Sequence, residues 1–393
     1  MVWLALSLPG PEMGAAAPAG ETAARPDLEG RRPDAVTLEY QEVGEPLMNW
    51  GLSLDPQTLK FKSEPDFGPR TVVRSQLTFG GDRGASIPFA WDRSQAKLYL
   101  DLNRNLDLTD DADGVFTCAR KGYYQTFTNV HLAFKTASGT RPVLVDLNLA
   151  AYEARPTVHA ALRSFWQGKI RLQGQDWQVG VVESVAGQIK HSHLLLRPWE
   201  NRHERFSLMD GSLDAFAFPN RLFLLNQAYQ VTCHTEPAGN PPKLKLEFTE
   251  QPAKLGELKL AGTFLKRVIL EPGDYTVVLD TPPPVVRVPV GTYEQHRVSV
   301  QSGELKAYRH PNSPAGLGRL MVSEEKAAGL RLGGPLTNAV SVARRTKQLV
   351  FSYQLLGADG MPYQLARQDR SKPPEFSVYQ GEKQIATGVF EFG

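Results

Sequence analysis

Five carboxylates and two side-chain amides crowd into thirteen residues, Asp101-Leu-Asn103-Arg-Asn105-Leu-Asp107-Leu-Thr-Asp110-Asp111-Ala-Asp113. A run of this kind collects hard oxygen donors, which suit Ca²⁺. In the EF-hand arrangement, side chains at loop positions 1, 3 and 5, a backbone carbonyl at 7 and an acid near 12 surround one ion. Asp101, Asn103 and Asn105 stand at the first three of these, Asp107 offers its carbonyl, and Leu108 falls where such loops turn an apolar residue inward. Two positions depart from the pattern. Leu106 replaces the glycine of the sharp turn, where a branched side chain at positive φ is strained. Ala112 replaces the bidentate acid, leaving Asp111 or Asp113 to take that role. Arg104 is the one cation in the run, so the five Asp repel one another unless an ion joins them. The candidate ligands are therefore Asp101, Asn103, Asn105, Asp107, Asp111 and Asp113, with Ca²⁺ as the cofactor they imply. The competing reading is a solvated Asp/Asn turn that caps its own backbone. Because Lys97-Leu-Tyr99-Leu precedes the run, the spacing predicts an EF-hand-like loop in a β-hairpin rather than between two helices.

A second polar group is looser: Glu183, His191, His193, Glu200, His203 and Glu204. His191-Ser-His193 would put two imidazoles on one face of a strand, a spacing zinc sites use. No third ligand has a diagnostic spacing, and exposed strand and loop histidines are the plainer reading. Nucleophile and phosphate motifs are missing: there is no GxSxG elbow, no P-loop, and Gly316-Leu-Gly318-Arg-Leu-Met321 lacks the third glycine of GxGxxG. Catalytic residues stay unknown, and a carboxylate pair for glycoside hydrolysis is set in space rather than in sequence. Trp166, Trp177 and Trp199 can stack on sugars or fill cores, and in β modules the core is the usual place. Cys118 and Cys233 are the only cysteines, which excludes a CxxC motif or a cysteine zinc cage within this sequence. One long-range disulfide and two buried thiols both remain open.

The elements that must carry these residues are strands. Lys243-Leu244-Lys245-Leu246-Glu247-Phe248 alternates charged and apolar residues, the period of a half-buried strand. Similar runs recur at Tyr275–Leu279, Arg287–Val290, Arg297–Val300, Gln348–Tyr353 and Phe376–Tyr379, punctuated by turn residues such as Gly80-Gly81-Asp82, Gln301-Ser-Gly303 and Gly357-Ala-Asp-Gly360. Lys169–Val179 and Arg221–Val231 match as two copies of one hairpin, with turns at Gly174 and Asn226. Only Leu149–Phe165 and Ser323–Leu330 look helical. The fold class is all-β, with several antiparallel β-sandwich or small-barrel modules in tandem and minor helix. Proline clusters at 237–242, 282–284 and 312–314 read as connections. The division expected is a leader and linker at 1–30, a β domain at 36–132 with the Asp/Asn loop, a β domain at 133–252 with the hairpin repeat, a β module at 254–312 and a sandwich at 316–393. The last would draw its core from Leu349, Phe351, Tyr353, Phe376, Val378, Val389 and Phe390.

The composition, 41% hydrophobic with a formal charge of +2, gives no electrostatic case for nucleic acid, and no apolar run reaches the roughly 18 residues of a membrane span. Met1–Pro9 followed by Ala15-Ala-Ala17 is similar to a signal peptide without its positive n-region, which predicts export and a mature chain starting after about residue 20–30. Lys97–Asp111 resembles the "Leu-Asp-x-Asn-x-Asn" turns of uncharacterised β-rich extracytoplasmic bacterial proteins. Ile269–Glu304, with Pro272-Gly-Asp-Tyr275 and Val288-Pro-Val-Gly291-Thr-Tyr293, resembles prealbumin-like and PEGA-type β modules, and 331–393 resembles an immunoglobulin-like sandwich. These resemblances imply a calcium-stabilised modular binding or scaffold protein of the periplasm or cell surface, with a glycan or protein as ligand. The alternative is a secreted β-fold hydrolase or lyase acting on an extracellular polysaccharide.

Overall fold

The computed structural model describes residues 2–5, 33–50, 52–54, 59–79, 86–119, 123–136, 139–152, 155–184, 188–204, 206, 208, 212–236, 242–309, 319–346, 348–365 and 373–390. The leader from residue 6 onward, the turn at 80–82, the Pro-rich stretch 237–241, the break at 312–314 and the residues 391–393 lie outside them. The described chain is all-β. Its helices are three-residue 3-10 turns at Ala112–Gly114, Ile189–His191 and Trp199–Asn201. The chain folds as two compact units: a loop-bearing unit, Pro33–Pro219 with Val231–Phe248, and a C-terminal unit, Met1–Arg32, Asn220–Gln230 and Thr249–Gly393.

In the loop-bearing unit, strands Leu52–Leu54, Val72–Phe79, Ser86–Asp92, Lys97–Leu100 and Val115–Thr117 form a five-stranded antiparallel sheet in that order. A four-stranded sheet runs Met48–Trp50, Arg155–Leu162, Gly139–Tyr152, Tyr124–Thr136. Both sheets turn alternate residues into one core, Leu77, Phe89, Trp91 and Leu100 from the first and Phe127, Phe134, Val145 and Leu147 from the second. The alternation at Lys243–Phe248 behaves as the sequence predicts. Leu244, Leu246 and Phe248 are fully buried, and Leu244 lies opposite Leu38.

The C-terminal unit has its own core, in which Leu258, Val268, Leu270, Val277, Val288 and Val298 pack with Leu355 and Tyr363. Among its described residues the strands are antiparallel except for two parallel pairings, Arg221–Leu224 with Thr276–Asp280 and Leu255–Ala261 with Ala328–Arg331. Val2–Ala5 pairs antiparallel with Glu375–Gln380.

Both repeat copies are hairpins with two-residue turns. Strand Ser164–Leu172 meets Gln175–Val182, and Arg221–Leu224 meets Gln227–Glu236. Gln173 and Gly174 have φ of 48° and 80°, Leu225 and Asn226 of 51° and 60°, the paired left-handed turn that matches strand twist. The helical expectations are corrected. Leu149–Phe165 is divided among strands Gly139–Tyr152, Arg155–Leu162 and Ser164–Leu172, and Ser323–Leu330 contributes to strand Ala328–Arg331. The Ala-rich composition favours helix locally, yet pairing on both edges of Gly139–Tyr152 satisfies its backbone and buries Ala150 and Ala151. Leu349 and Val389, expected in the core, are exposed, whereas Phe376 stacks on Phe351 at 5.0 Å and meets Phe390 at 4.9 Å.

Candidate metal centre

The Asp101–Asp113 loop closes a β-hairpin, because the register Lys97↔Thr117, Leu98↔Phe116, Tyr99↔Val115 joins its two flanks directly. Asp101 follows the first strand directly, with its N–H bonded to Pro88 O at 2.9 Å, and the residue is 0% exposed. A carboxylate that deep needs donors. Its Oδ1 accepts the Asn105 N–H at 3.1 Å and its Oδ2 the Leu106 N–H at 2.8 Å. The loop then winds through a series of side-chain-capped turns. Asn103 Oδ1 also accepts from Asn105 N at 3.0 Å, Asn105 Oδ1 from Asp107 N at 2.6 Å, and Asp107 Oδ1 from Thr109 N at 2.8 Å. These bonds curl the chain so that the Asn103 and Asn105 side chains both reach Asp110.

The strained turn exists despite the missing glycine. Arg104 and Leu106 have φ of 63° and 67°. Leu106 is held there by its neighbours, its carbonyl accepting the Lys62 N–H at 2.8 Å while Leu108 N bonds Ser63 O at 3.0 Å. Leu108 is buried with Phe67 and Ala90, the inward apolar anchor that the spacing predicts. Gly114 ends the loop where a Cβ would fall 2.2 Å from Leu100 O, so the return of the chain depends on that residue having no side chain.

Of the candidate ligands, Asp101, Asn103, Asn105 and Asp111 are brought together. Asn103 N bonds Asp111 Oδ1 at 3.3 Å and the Leu102 N–H also acts on this carboxylate, while Asp111 Oδ2 is buried with no hydrogen bond of normal geometry. Burial holds the Asp111 carboxyl above the usual carboxylate range, and the Asp101 and Asp110 charges push the same way. The Asp107 carboxylate is drawn aside by the Thr109 hydroxyl and amide, which hold it below the usual range. Asp113 sits exposed in the turn Ala112–Gly114. One residue escaped the sequence argument. Asp110 accepts the side-chain amides of both Asn103, at 3.1 Å, and Asn105, at 2.7 Å. The doubled acid Asp110-Asp111 was the available signal, since adjacent acids on a curling loop serve two directions.

The cations near the loop bond backbone and ring, and the charges of Arg104 and Lys62 also act on Asp101 and Asp107. Lys62 Nζ bonds Asn105 O at 2.9 Å, and Arg104 donates to Ala133 O at 3.3 Å with its guanidinium over the Phe134 ring. Burial holds the Arg104 guanidinium below its ordinary value. The result is a concentration of oxygen lone pairs, only part of which the hydrogen bonds within the loop use. Hard oxygen donors of this kind match the coordination chemistry of a hard, redox-inert cation. The orphaned Asp111 oxygen fits such an ion. Among the described residues no three His, Cys, Asp or Glu side chains form a metal cluster, and the donors here are mixed carboxylate, amide and carbonyl.

The second polar group does not assemble. His191 lies exposed in the turn Ile189–His191 while His193 opens the next strand, so the two do not share a strand face. Glu183 is buried and accepts from Trp166 Nε1 at 3.3 Å. Trp166 and Trp177 are core residues, and the Trp199 ring is flanked by Lys169 and Arg202, each at 4.9 Å. No disulfide joins Cys118 and Cys233, and burial pushes the Cys233 thiol up to about 12, with the Glu183 charge adding to it. Among the described residues no helix is long and apolar enough to cross a membrane. Comparison with known protein families, curated proteins and solved structures gives no match to this chain.

Proposed function

We propose that this chain is a calcium-stabilised modular binding or scaffold protein, exported to the periplasm or cell surface, with Ca²⁺ held in the Asp101–Asp113 loop. One observation carries the reading: a buried Asp111 oxygen without a hydrogen bond of normal geometry, inside a loop of five carboxylates. Burying an unpaired carboxylate oxygen is costly, and a cation beside it removes the cost. Asp101, Asn103, Asn105 and Asp111 supply side-chain oxygens and Asp107 its carbonyl, with Asp110 beside both amides. Ca²⁺ is the favoured ion, because an irregular cage of mixed oxygens suits its loose coordination, whereas Mg²⁺ resists dehydration. Extracellular compartments keep Ca²⁺ plentiful, which supports export, and the bound ion fixes a hairpin of the loop-bearing unit while β modules present a surface to a glycan or protein.

The test is thermal unfolding of the full chain in EDTA, in millimolar Ca²⁺ and in millimolar Mg²⁺. At a hundredfold excess over Kd, Ca²⁺ adds about 2.7 kcal/mol of stability, and Mg²⁺ adds less. Superimposable curves in EDTA and Ca²⁺ overturn the assignment.

A further inference from the structure

Within the C-terminal unit, strand Gln295–Ser302 lies between Leu265–Glu271 and Leu305–Arg309, and the last also pairs with Pro362–Leu365. The register sets Arg309 opposite Val298 and leaves His296 two residues along on the same face. Both side chains are buried, Arg309 to 1% and His296 to 5% exposure. Arg309 donates through Nη1 to Asp359 Oδ2 and through Nη2 to His296 Nε2, while its Nε is buried without a hydrogen-bond partner. Asp359 belongs to the turn between strands Gln348–Leu356 and Pro362–Leu365, and its Oδ1 accepts the Met361 N–H at 3.1 Å. The same turn is tied by Gly357 N to Met361 O and by Ala358 N to Gly333 O, both at 2.8 Å, and Gly333 N donates to the Tyr363 hydroxyl at 2.8 Å.

A guanidinium cannot accept a hydrogen bond, so the His296 nitrogen that meets it must be the acceptor. His296 is therefore neutral, with its proton on Nδ1. Protonating Nε2 would set N–H against N–H and bring two cations into contact in a buried site, where Asp359 is the anion that acts on the ring. Among the described residues, the other groups that the paired strands set beside this point carry no opposing charge. Leu265–Glu271 presents Leu270 opposite His296, its Glu271 being paired with Arg297 at 2.8 Å on the other face, and Pro362–Leu365 presents the Tyr363 phenol.

We propose that His296, Arg309 and Asp359 form an acid-released latch, closed while His296 is neutral, that ties the turn Gly357–Met361 to the sheet. Protonation of His296 expels Arg309 from its contact, Asp359 loses its fixed partner, and the turn opens. This device is independent of the calcium loop. Burial first, then the Arg309 charge, holds the imidazole down at about 4 in the closed state. A histidine that opening frees from both burial and Arg309 returns to about 6.5, although the loss of Asp359 alone acts the other way. The open state therefore binds the extra proton between these limits, and opening gains about tenfold per pH unit on acidification across that window, levelling below it.

Hydrogen exchange of the full chain tests this, with rates corrected for intrinsic amide exchange, on peptides spanning 357–363 from pH 7 to pH 3.5. Protection of this turn is expected to fall about tenfold per pH unit below about 6.5, while His296→Gln, which keeps an acceptor but cannot be charged, leaves it flat. Protection that is constant with pH in the wild type, or that falls with the same slope in His296→Gln, overturns the latch. Imidazole ¹⁵N shifts of the wild-type protein decide the matter even if the variant does not fold. An Nδ1–H tautomer that resists protonation until about pH 4 supports the latch, and a free imidazole titrating at about 6.5 overturns it.

Discussion

Two hairpin loops in this molecule use the same turn chemistry and differ in what neutralises it. At Asp359, one carboxylate oxygen caps the turn through Met361 N and the other receives the buried guanidinium of Arg309. At Asp111, one oxygen accepts Asn103 N and the other is buried with no hydrogen bond of normal geometry, in a loop where Lys62 and Arg104 bond backbone carbonyls. The C-terminal unit carries counter-charges within the chain, as Arg267 with both oxygens of Asp280 repeats. The difference teaches that a carboxylate closed by guanidinium is complete without solvent, whereas the carboxylates of the Asp101–Asp113 loop outnumber the cations the chain turns toward them. An external cation suits the second and has nothing to add to the first.

The comparison breaks most visibly at Asp359. Replacing it by Ala leaves Arg309 buried and uncompensated, which costs about 3–5 kcal/mol. Urea unfolding should show that loss at equal size in EDTA and in Ca²⁺. A loss that Ca²⁺ repairs would mean that the two loops are energetically one system.

Asp101→Asn makes the complementary cut. The amide keeps one acceptor but turns N–H toward one of the two backbone N–H groups it caps, costing roughly 1–3 kcal/mol in EDTA. It also removes the deepest carboxylate of the loop, so the Ca²⁺-dependent rise in melting temperature should vanish. A variant with the full wild-type response would show that the ion, if bound, is held elsewhere.

Which parts of this contrast were legible in the sequence follows from chain separation. Period-two alternation at Lys243–Phe248, the left-handed turns at Gly174 and Asn226 and the inward anchor Leu108 are local signals, and each residue stands where its neighbours require. Asp101, Asn103 and Asn105 were legible for the same reason, being two residues apart on one loop. Asp110 was missed because its role depends on how the loop curls. Arg309 and Asp359 are 50 residues apart and meet only because strand Leu305–Arg309 pairs with Pro362–Leu365. Tertiary pairing also overrode the helical composition of Leu149–Phe165, and it decided which of the apolar residues near the C-terminus, Leu349 or Phe376, found a partner.

The smallest expected effect sharpens the comparison at its backbone. Leu106 holds φ of 67° where Gly360, in the closed turn, holds 75°. An L residue in this region pays roughly 1–2 kcal/mol, and glycine pays roughly 0.5–1 kcal/mol in unfolded-state entropy. Leu106→Gly also gives up a half-buried side chain, so its net effect in EDTA should stay within about 1 kcal/mol of zero. Gly360→Ala has no such offset. A Cβ there meets nothing within 4 Å, so the cost is conformational alone, about 1 kcal/mol, and the same in EDTA and Ca²⁺. The response to Ca²⁺ should survive in Leu106→Gly, since the ligand oxygens are untouched and the bonds from Lys62 N and to Ser63 O still hold the turn. Calorimetric melting of both variants with and without the ion measures this. If Leu106→Gly removes the Ca²⁺ response while Asp101→Asn keeps it, the side chain of Leu106 rather than the carboxylates sets the loop, and its contrast with the Asp359 turn is one of packing instead of charge.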